Sequence, residues 1–255
     1  MNRMLISAFF ALSCVAAMNA RAAGDEAKPK ATVVLVHGAF ADGSSWNKII
    51  PLLQAQGLKV VAVQNPLTSL ADDVTATRRV IDAQPGPVVL VGHSWGGTVI
   101  TEAGTDDKVK ALVYVAAFAP SAGESTADGG KGFPPPPGLA HPIASADGFL
   151  TLSPETVASD FAQDLDAKEA NLIAVTQGPI NSKAFDSKVS TPAWDGRPSW
   201  YIVATQDRMI QPDAERAVAR KIKATTTELK ASHVPMLSQP DAVAKVIVSA
   251  AKAIR

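Results

Sequence analysis

Cysteine is nearly absent from this chain, which has one, Cys14, among its 255 residues. A single cysteine excludes a disulfide framework within the chain. A charge imbalance is absent as well, because 24 acidic residues offset 24 basic ones and no basic run occurs. Such a balance disfavours nucleic acid as a partner. The hydrophobic content of 47% is sufficient instead for one α/β domain with a sizeable core.

The N-terminus has the pattern of a secretory signal peptide. Arg3 supplies a positive charge, residues 4–18 are apolar, and Ala20-Arg21-Ala22 fits a cleavage site. We therefore expect residues 1–22 to be removed and the protein to be exported, to the bacterial periplasm or the medium, with no stable membrane anchor after processing. An uncleaved anchor is disfavoured because the apolar run is short for a membrane span. Lipidation at Cys14 is disfavoured by the residues that precede it.

Short apolar runs alternate with helical patterns from Thr32 onward. This alternation predicts a doubly wound, mainly parallel α/β sheet of about six strands with helices on both faces. The predicted strands are 32–36, 59–63, 88–91, 109–115, 200–204 and 226–229. We expect residues 23–120 and 198–255 to form this core, and residues 121–197 to form a cap or lid inserted into it. The proline tract 134–137 lies in that insertion and matches no motif that we recognise.

The most informative motif is Gly92-His93-Ser94-Trp95-Gly96, directly after the predicted strand 88–91. A G-x-S-x-G sequence between a buried strand and a helix is typical of a nucleophile elbow, a sharp turn that exposes the serine hydroxyl at the carboxyl end of the sheet. The glycines leave space where a Cβ would collide with neighbouring backbone. The motif therefore predicts Ser94 as a nucleophile.

A serine nucleophile needs a base, and the base needs a group that orients it. His233 follows the last predicted strand at the same sheet edge as Ser94, and it is our candidate base. Asp207 follows the strand 200–204 and is our candidate acid. Asp213 is the alternative acid, although its position suits the N-terminus of the next helix. The chain order is thus serine, then acid, then histidine.

Two backbone N–H groups are expected to stabilise a developing oxyanion. One comes from Trp95, and the other comes from Ala39 in the loop after the first strand. The expected substrate-binding residues share an apolar side chain and a position near the other site residues: Phe40, Phe118, Met209, Ile210, Val234 and Met236. The histidines lack metal-ligand spacing and no phosphate-binding glycine loop occurs, so we expect neither metal nor cofactor.

These motifs resemble the α/β-hydrolase superfamily, and within it the branch of plant methyl-ester esterases, hydroxynitrile lyases and bacterial carboxylesterases. The resemblance covers almost all of the chain after the leader, less firmly over 121–190, and it rests on the tracts 36–39, 43–46, 92–97, 115–120, 200–208 and 232–233. It implies a cap over the site, catalysis without a cofactor, and a triad of Ser94, Asp207 and His233.

The sequence thus predicts a serine esterase that cleaves small to medium hydrophobic carboxylic esters through an acyl-enzyme, with a small-molecule ester as its partner. Two alternatives stay open. One is lyase or cofactor-free perhydrolase chemistry on the same triad, and the other is a non-catalytic ligand-binding protein on the same fold. Hydroxynitrile lyases of this branch carry a threonine after the first-strand histidine and a lysine after the catalytic histidine. This chain has Gly38 and Val234 at those positions.

If the signal peptide is processed, the exported protein should begin near Ala23, because the predicted cleavage site ends at Ala22. Intact-mass measurement of protein from the exported fraction of an expressing bacterium tests this expectation. A full-length species, or a species with a lipid on Cys14, would contradict it.

Overall fold

The computed structural model describes residues 31–254, and the predicted signal peptide lies outside them. The strands in this part of the chain are β1 (Thr32–Val36), β2 (Lys59–Val63), β3 (Val88–His93), β4 (Val109–Val115), β5 (Ile143–Ala144), β6 (Phe149–Thr151), β7 (Ile180–Asn181), β8 (Ser199–Ala204) and β9 (Thr225–Leu229). A parallel sheet of six strands has the order β2-β1-β3-β4-β8-β9. The predicted fold class is confirmed, and the six predicted strands agree with this sheet to within two residues at each end.

The composition of the central strands follows from their burial. Every residue of β1 and of β3 is buried, and β1 and most of β3 are continuous apolar runs, as expected for parallel strands between two layers of helices. The edge strands β2 and β9 are partly exposed. Because all six strands run in one direction, their carboxyl ends meet at one edge, where such sheets bind ligands.

Helices pack around this sheet. Within residues 31–254 the α-helices are α1 (Ile49–Ala55), α2 (Leu70–Asp82), α3 (Trp95–Ala103), α4 (Pro154–Thr156), α5 (Ala167–Thr176), α6 (Pro212–Lys221), α7 (Pro235–Ser238) and α8 (Pro240–Ala253). In α2, the Ser69 side chain accepts a hydrogen bond from the Asp72 N–H and caps the helix. Within the same described range, no helix is long and apolar enough to cross a membrane.

Residues 121–197 form short elements beside the sheet rather than another strand–helix unit. Strands β5, β6 and β7 make a small antiparallel sheet, and α4 continues as a π-helical turn over Val157–Phe161. The segment is attached to the loop after β8, since the Gly138 N–H donates to the Arg208 carbonyl at 2.9 Å. It therefore lies against the carboxyl edge of the sheet. Its limits as a domain and its movement as a lid stay predictions.

Helix α3 approaches β1 so closely that only glycine fits at the contact. A Cβ on Gly96 would lie 2.5 Å from the carbonyl oxygen of Val36 and 2.7 Å from that of His37. Both obstacles are backbone atoms, which cannot move aside as the end of a flexible side chain could. The contact therefore fixes the start of α3, and the turn before it, against the end of β1.

We expect Gly96→Ala to lower the free energy of unfolding by about 1–3 kcal/mol, because the added methyl overpacks a rigid backbone contact. Urea unfolding of the purified protein measures the change. Gly196→Ala is the matched control, since a Cβ there meets nothing within 4 Å and Gly196 has a φ of −117°. Equal stability of the two variants would contradict this account of the contact.

Candidate active site

Ser94 lies between β3 and α3 in a backbone conformation that L-amino acids rarely adopt, with φ 52° and ψ −121°. Three backbone hydrogen bonds hold it there. The Ser94 N–H donates to the Val115 carbonyl at 3.2 Å, and the Ser94 carbonyl accepts from the N–H groups of Gly97 at 2.9 Å and Phe118 at 3.3 Å. Strained backbone that is fixed by its surroundings clusters at functional sites. The turn thus has the geometry of a nucleophile elbow.

A buried carboxylate–imidazole pair lies at the ends of β8 and β9. His233 Nδ1 is 2.5 Å from Asp207 Oδ2. Because a carboxylate can only accept, Nδ1 carries the proton and Nε2 is left as the basic nitrogen. The other carboxylate oxygen, Oδ1, accepts from the N–H groups of Met209 at 2.6 Å and Ile210 at 2.9 Å. The Asp207 side chain is therefore fixed from two sides, and it fixes the orientation of the imidazole ring.

The structure brings the predicted nucleophile and base to one place, since Ser94 and His233 line the same cavity. It does not bring the alternative acid there. Asp213 is exposed on α6 and forms an ion pair with Arg216, with 2.9 Å between Oδ1 and Nη1. The geometry therefore favours Asp207 over Asp213 as the partner of His233.

The two predicted oxyanion donors flank Ser94. Within residues 31–254, the N–H groups of Ala39 and Trp95 donate to no other protein group. Trp95 is the first residue of α3, where an N–H has no helical acceptor. Ala39 lines the same cavity as Ser94. Both N–H groups are therefore available to a ligand oxygen.

His37 fixes the loop that carries Ala39. Its Nε2 accepts from the Asn65 N–H at 2.9 Å, so its Nδ1 carries the proton and donates to the Gly38 carbonyl at 2.8 Å. Burial lowers the pKa of His37, which keeps the ring neutral in this arrangement. This histidine therefore orients the loop rather than acting as a second base.

The cavity beside Ser94 has a volume of about 320 Å³. Four of the predicted binding residues line it: Phe40, Phe118, Met209 and Ile210. Val234 and Met236 do not, because they are 1% and 0% exposed and belong to the hydrophobic core. Helix α7 begins directly after Val234 and directs both side chains inward. We therefore do not assign these two residues to the pocket wall.

Much of the wall comes from the insertion, and sequence reasoning missed it. These residues are Thr126, Ala127, Gly129, Gly130, Phe133, Pro134, Pro136, Leu139, Pro142, Leu150 and Phe185. The proline tract 134–137 was the available signal, since prolines fix the backbone and present an apolar surface. The cavity lining contains no Asp, Glu, Lys or Arg.

Asp73 on α2 is a buried carboxylate that links the turn at Ser94 to the loop before α2. Asp73 is fully buried; its Oδ2 accepts from the Trp95 indole N–H at 2.7 Å, and its Oδ1 accepts from the Leu67 N–H at 2.8 Å. The Leu67 carbonyl in turn accepts from the Asn181 N–H of the insertion at 2.9 Å. Burial raises the pKa of Asp73 to about 6. In the sequence, Asp73 could have been found as an acidic residue on the apolar face of a predicted helix.

These components are those of acyl transfer: a hydroxyl on a strained turn, an imidazole oriented by a carboxylate, and two N–H groups without a protein acceptor, one in the cavity lining and one on the residue after Ser94. Within residues 31–254, no group of three or more His, Cys, Asp or Glu side chains is placed to hold a metal ion.

Comparison with known proteins identifies the family. Residues 33–246 match the alpha/beta hydrolase family, and the chain belongs to that family. It is 27% identical to Methylesterase 2 of Arabidopsis thaliana, over 84% of this chain and 94% of that protein. It is 26% identical to the pyrethroid hydrolase of Sphingobium wenxiniae, over 87% of this chain and 88% of that protein.

The fold is also that of solved relatives. The crystal structure of polyneuridine aldehyde esterase superposes with a TM-score of 0.75 at 23% identity, over 87% of this chain and 99% of that one. Several of the relatives are named as hydrolases or esterases, and plant methylesterases are among the proteins to which the chain is similar. Together they support a hydrolase function of the esterase type.

We expect Asp73→Asn to lower the free energy of unfolding by about 1–3 kcal/mol, because the amide NH₂ would face one of the two N–H donors and leave it unpaired. Ester turnover should also fall, since Trp95 loses the partner that fixes its side chain. Urea unfolding and kcat measure the two effects. The control is Asp72→Asn, which changes an exposed acid on the same helix. It should lower the free energy of unfolding and kcat by less. Equal losses in the two variants would contradict the role of Asp73.

Proposed function

We propose that this protein is a serine esterase that cleaves uncharged, hydrophobic carboxylic esters through an acyl-enzyme. The observation that carries the proposal is that Ser94, His233 and Ala39 line one cavity without Asp, Glu, Lys or Arg side chains in the described part of the chain. His233 is paired with Asp207 there, and the N–H groups of Ala39 and Trp95 are unengaged. The chemistry of these groups matches nucleophilic acyl transfer. The esterases and hydrolases among the relatives support the same reaction type.

In the proposed reaction, His233 Nε2 takes the hydroxyl proton of Ser94 while Oγ attacks the ester carbonyl carbon. The oxyanion accepts hydrogen bonds from the N–H groups of Ala39 and Trp95. Asp207 stabilises the imidazolium that forms. Collapse of the intermediate expels the alcohol, which takes its proton from His233. A water molecule, deprotonated by the same imidazole, then attacks the acyl-serine and releases the carboxylic acid.

The cavity lining supports the substrate class. A charged group that entered this cavity would lose its hydration without gaining an ionic partner, which is costly. An apolar acyl or alcohol group would instead gain contact with proline, phenylalanine and methionine side chains. The similarity to a pyrethroid hydrolase and to a methylesterase agrees with an ester of this kind.

Two positions disfavour the cyanohydrin-lyase alternative. The lyases have a threonine where this chain has Gly38, and here a Cβ at position 38 would lie 2.8 Å from the Cβ of Ser94. They have a lysine where this chain has Val234, which is buried. Without that lysine a departing cyanide would lack a positive charge beside it, so ester hydrolysis is the better match to these residues.

A matched set of substrates tests the proposal. We expect the purified protein to hydrolyse 4-nitrophenyl butyrate at least about 100-fold faster, by kcat/KM, than the mono-4-nitrophenyl ester of succinic acid, because the second substrate carries a carboxylate into an uncharged cavity. Mandelonitrile, corrected for spontaneous breakdown, should release cyanide only at background rate. Efficient cyanide release with negligible ester turnover would contradict the proposal and favour a lyase.

Ser94→Ala is the control for the site. Turnover should fall by about 10⁶, the typical loss when such a nucleophile is removed, while the circular dichroism spectrum stays that of the wild type. A fluorophosphonate should label the wild type and not the variant. Failure of the wild type to react with the probe or with any ester in the panel would favour a binding protein instead.

A further inference from the structure

A second buried carboxyl group lies behind the acid of the proposed triad. Glu215, in the first turn of α6, is fully buried. Its Oε2 accepts from the N–H of Ala204, the last residue of β8, at 3.0 Å. Its Oε1 has no hydrogen-bond partner within residues 31–254. The Ala204 carbonyl in turn accepts from the Asp207 N–H at 3.1 Å, so the Glu215 carboxyl lies against the turn that carries Asp207. Two carboxyl groups thus share one buried site.

Among residues 31–254, no Lys or Arg side chain pairs with either carboxyl group to balance two negative charges. Arg216 is adjacent to Glu215 in the chain, but its guanidinium lies at the surface, where it pairs with Asp213 at 2.9 Å and with Glu228 at 2.7 Å. On the side of Asp207, the imidazole of His233 already donates to the other carboxylate. Two ionised carboxylates in one buried site, without a cation of their own, would be strongly unfavourable.

Tyr201, a further ionisable group near this site, does not supply a balancing charge either. Tyr201 on β8 is buried, and its hydroxyl donates to the Ala117 carbonyl at 2.5 Å. Burial raises the pKa of Tyr201, and the two carboxyls add to this effect. Burial, followed by the charge of Asp207, raises the pKa of Glu215 well above its usual range. Glu215 therefore holds its proton beside a carboxylate that accepts from two backbone N–H groups and an imidazole.

We propose that Glu215 is a positioning residue of the triad, whose protonated carboxyl donates a hydrogen bond to the Asp207 carboxylate while its other oxygen holds the Ala204 N–H. A carboxylate offers about four acceptor sites. Three are used by Met209, Ile210 and His233, and Glu215 occupies the fourth. The plane of the Asp207 carboxylate is then fixed, and with it the direction in which His233 presents Nε2. The activity part of this inference rests on the proposed function.

Two substitutions separate a hydrogen-bonding role from a packing role. Glu215→Gln keeps the shape of the protonated acid, donates from its NH₂ and accepts at its carbonyl oxygen, but has no proton to lose. Glu215→Met keeps the length of the side chain and neither donates nor accepts in a comparable way. Glu228→Gln changes an exposed glutamate and is the control.

The first measurement is the urea midpoint of the wild type, E215Q and E228Q between pH 5 and pH 8. The pKa of Glu215 is raised in the folded state, so the unfolded chain releases this proton at lower pH than the folded one, and the wild type loses stability as pH rises above about 4.5. E215Q lacks this loss. We expect its midpoint, relative to the wild type, to increase steadily with pH, whereas that of E228Q does not. A difference that is constant or decreases with pH would overturn the proposal.

The second measurement is the pH dependence of kcat/KM for a neutral ester. E215M should lose on the order of 10- to 100-fold in kcat, since a small displacement of the base costs about this much, and E215Q should recover most of that loss. The acid limb of the E215M profile should move to higher pH, because an Asp207 carboxylate without its fourth donor holds the protonated form of His233 more strongly. A folded E215M with the profile of the wild type, or an E215Q as impaired as E215M, would overturn the proposal.

The two measurements distinguish a failure of the proposed function from a failure of the inference on Glu215. If the protein cleaves no ester, the proposed function is wrong, yet the urea midpoints still report whether Glu215 holds a proton. If E215M does not fold, the pH dependence of E215Q stability and the activity of E215Q decide the question. A pH-dependent gain in stability together with full activity in a folded E215M would show a buried proton without a positioning role, which also contradicts the proposal.

Discussion

The turn at Ser94 is the constraint on which the rest of the site depends. Its positive φ, which costs of order 1–3 kcal/mol, lets the strand end and the helix begin within one residue, so the hydroxyl points away from the sheet. Helix α3 must then start against β1, and Gly96 permits that approach. One close contact therefore brings together the nucleophile, the N–H of Trp95 and the loop of Ala39. The Asp73 carboxylate accepts a hydrogen bond from the Trp95 indole N–H and so helps to fix the first residue of α3.

The site holds three acids that are nearly or fully buried: Asp73, Asp207 and Glu215. Neither Lys nor Arg pairs with any of them in the described part of the chain, so each charge is accommodated by another means. Asp73 accepts from two N–H groups, Asp207 accepts from backbone N–H groups and an imidazole, and Glu215 retains its proton. An arginine here would lower the basicity that His233 needs, because it would compete for the carboxylate that supports the imidazolium. Without such a cation, the Asp207 carboxylate is left to support the imidazolium of His233.

Local patterns were sufficient for the sheet and for Ser94, Asp207 and His233, because apolar runs and the turns after them are encoded by neighbouring residues. The same patterns did not reveal that residues 126–142 form part of the cavity wall. Short irregular elements lack the regular spacing of apolar residues from which helices and strands are predicted. Val234 and Met236 show the other limit: nearness to His233 in the chain does not determine the direction of a side chain. Glu215 could have been noticed as an acid on an apolar helix face, but its position behind the turn of Asp207 depends on tertiary structure.

The proline tract connects substrate binding to the acid of the site. Pro136 has the extended conformation of polyproline, with φ −72° and ψ 137°, and it lines the cavity. On either side of it, the Gly138 N–H donates to the Arg208 carbonyl at 2.9 Å and the Gln211 side chain donates to the Pro135 carbonyl at 3.4 Å. Both partners belong to the loop that presents Asp207. Because a proline-rich backbone has few alternative conformations, these two hydrogen bonds join a stiff part of the cavity wall to the loop that positions the acid.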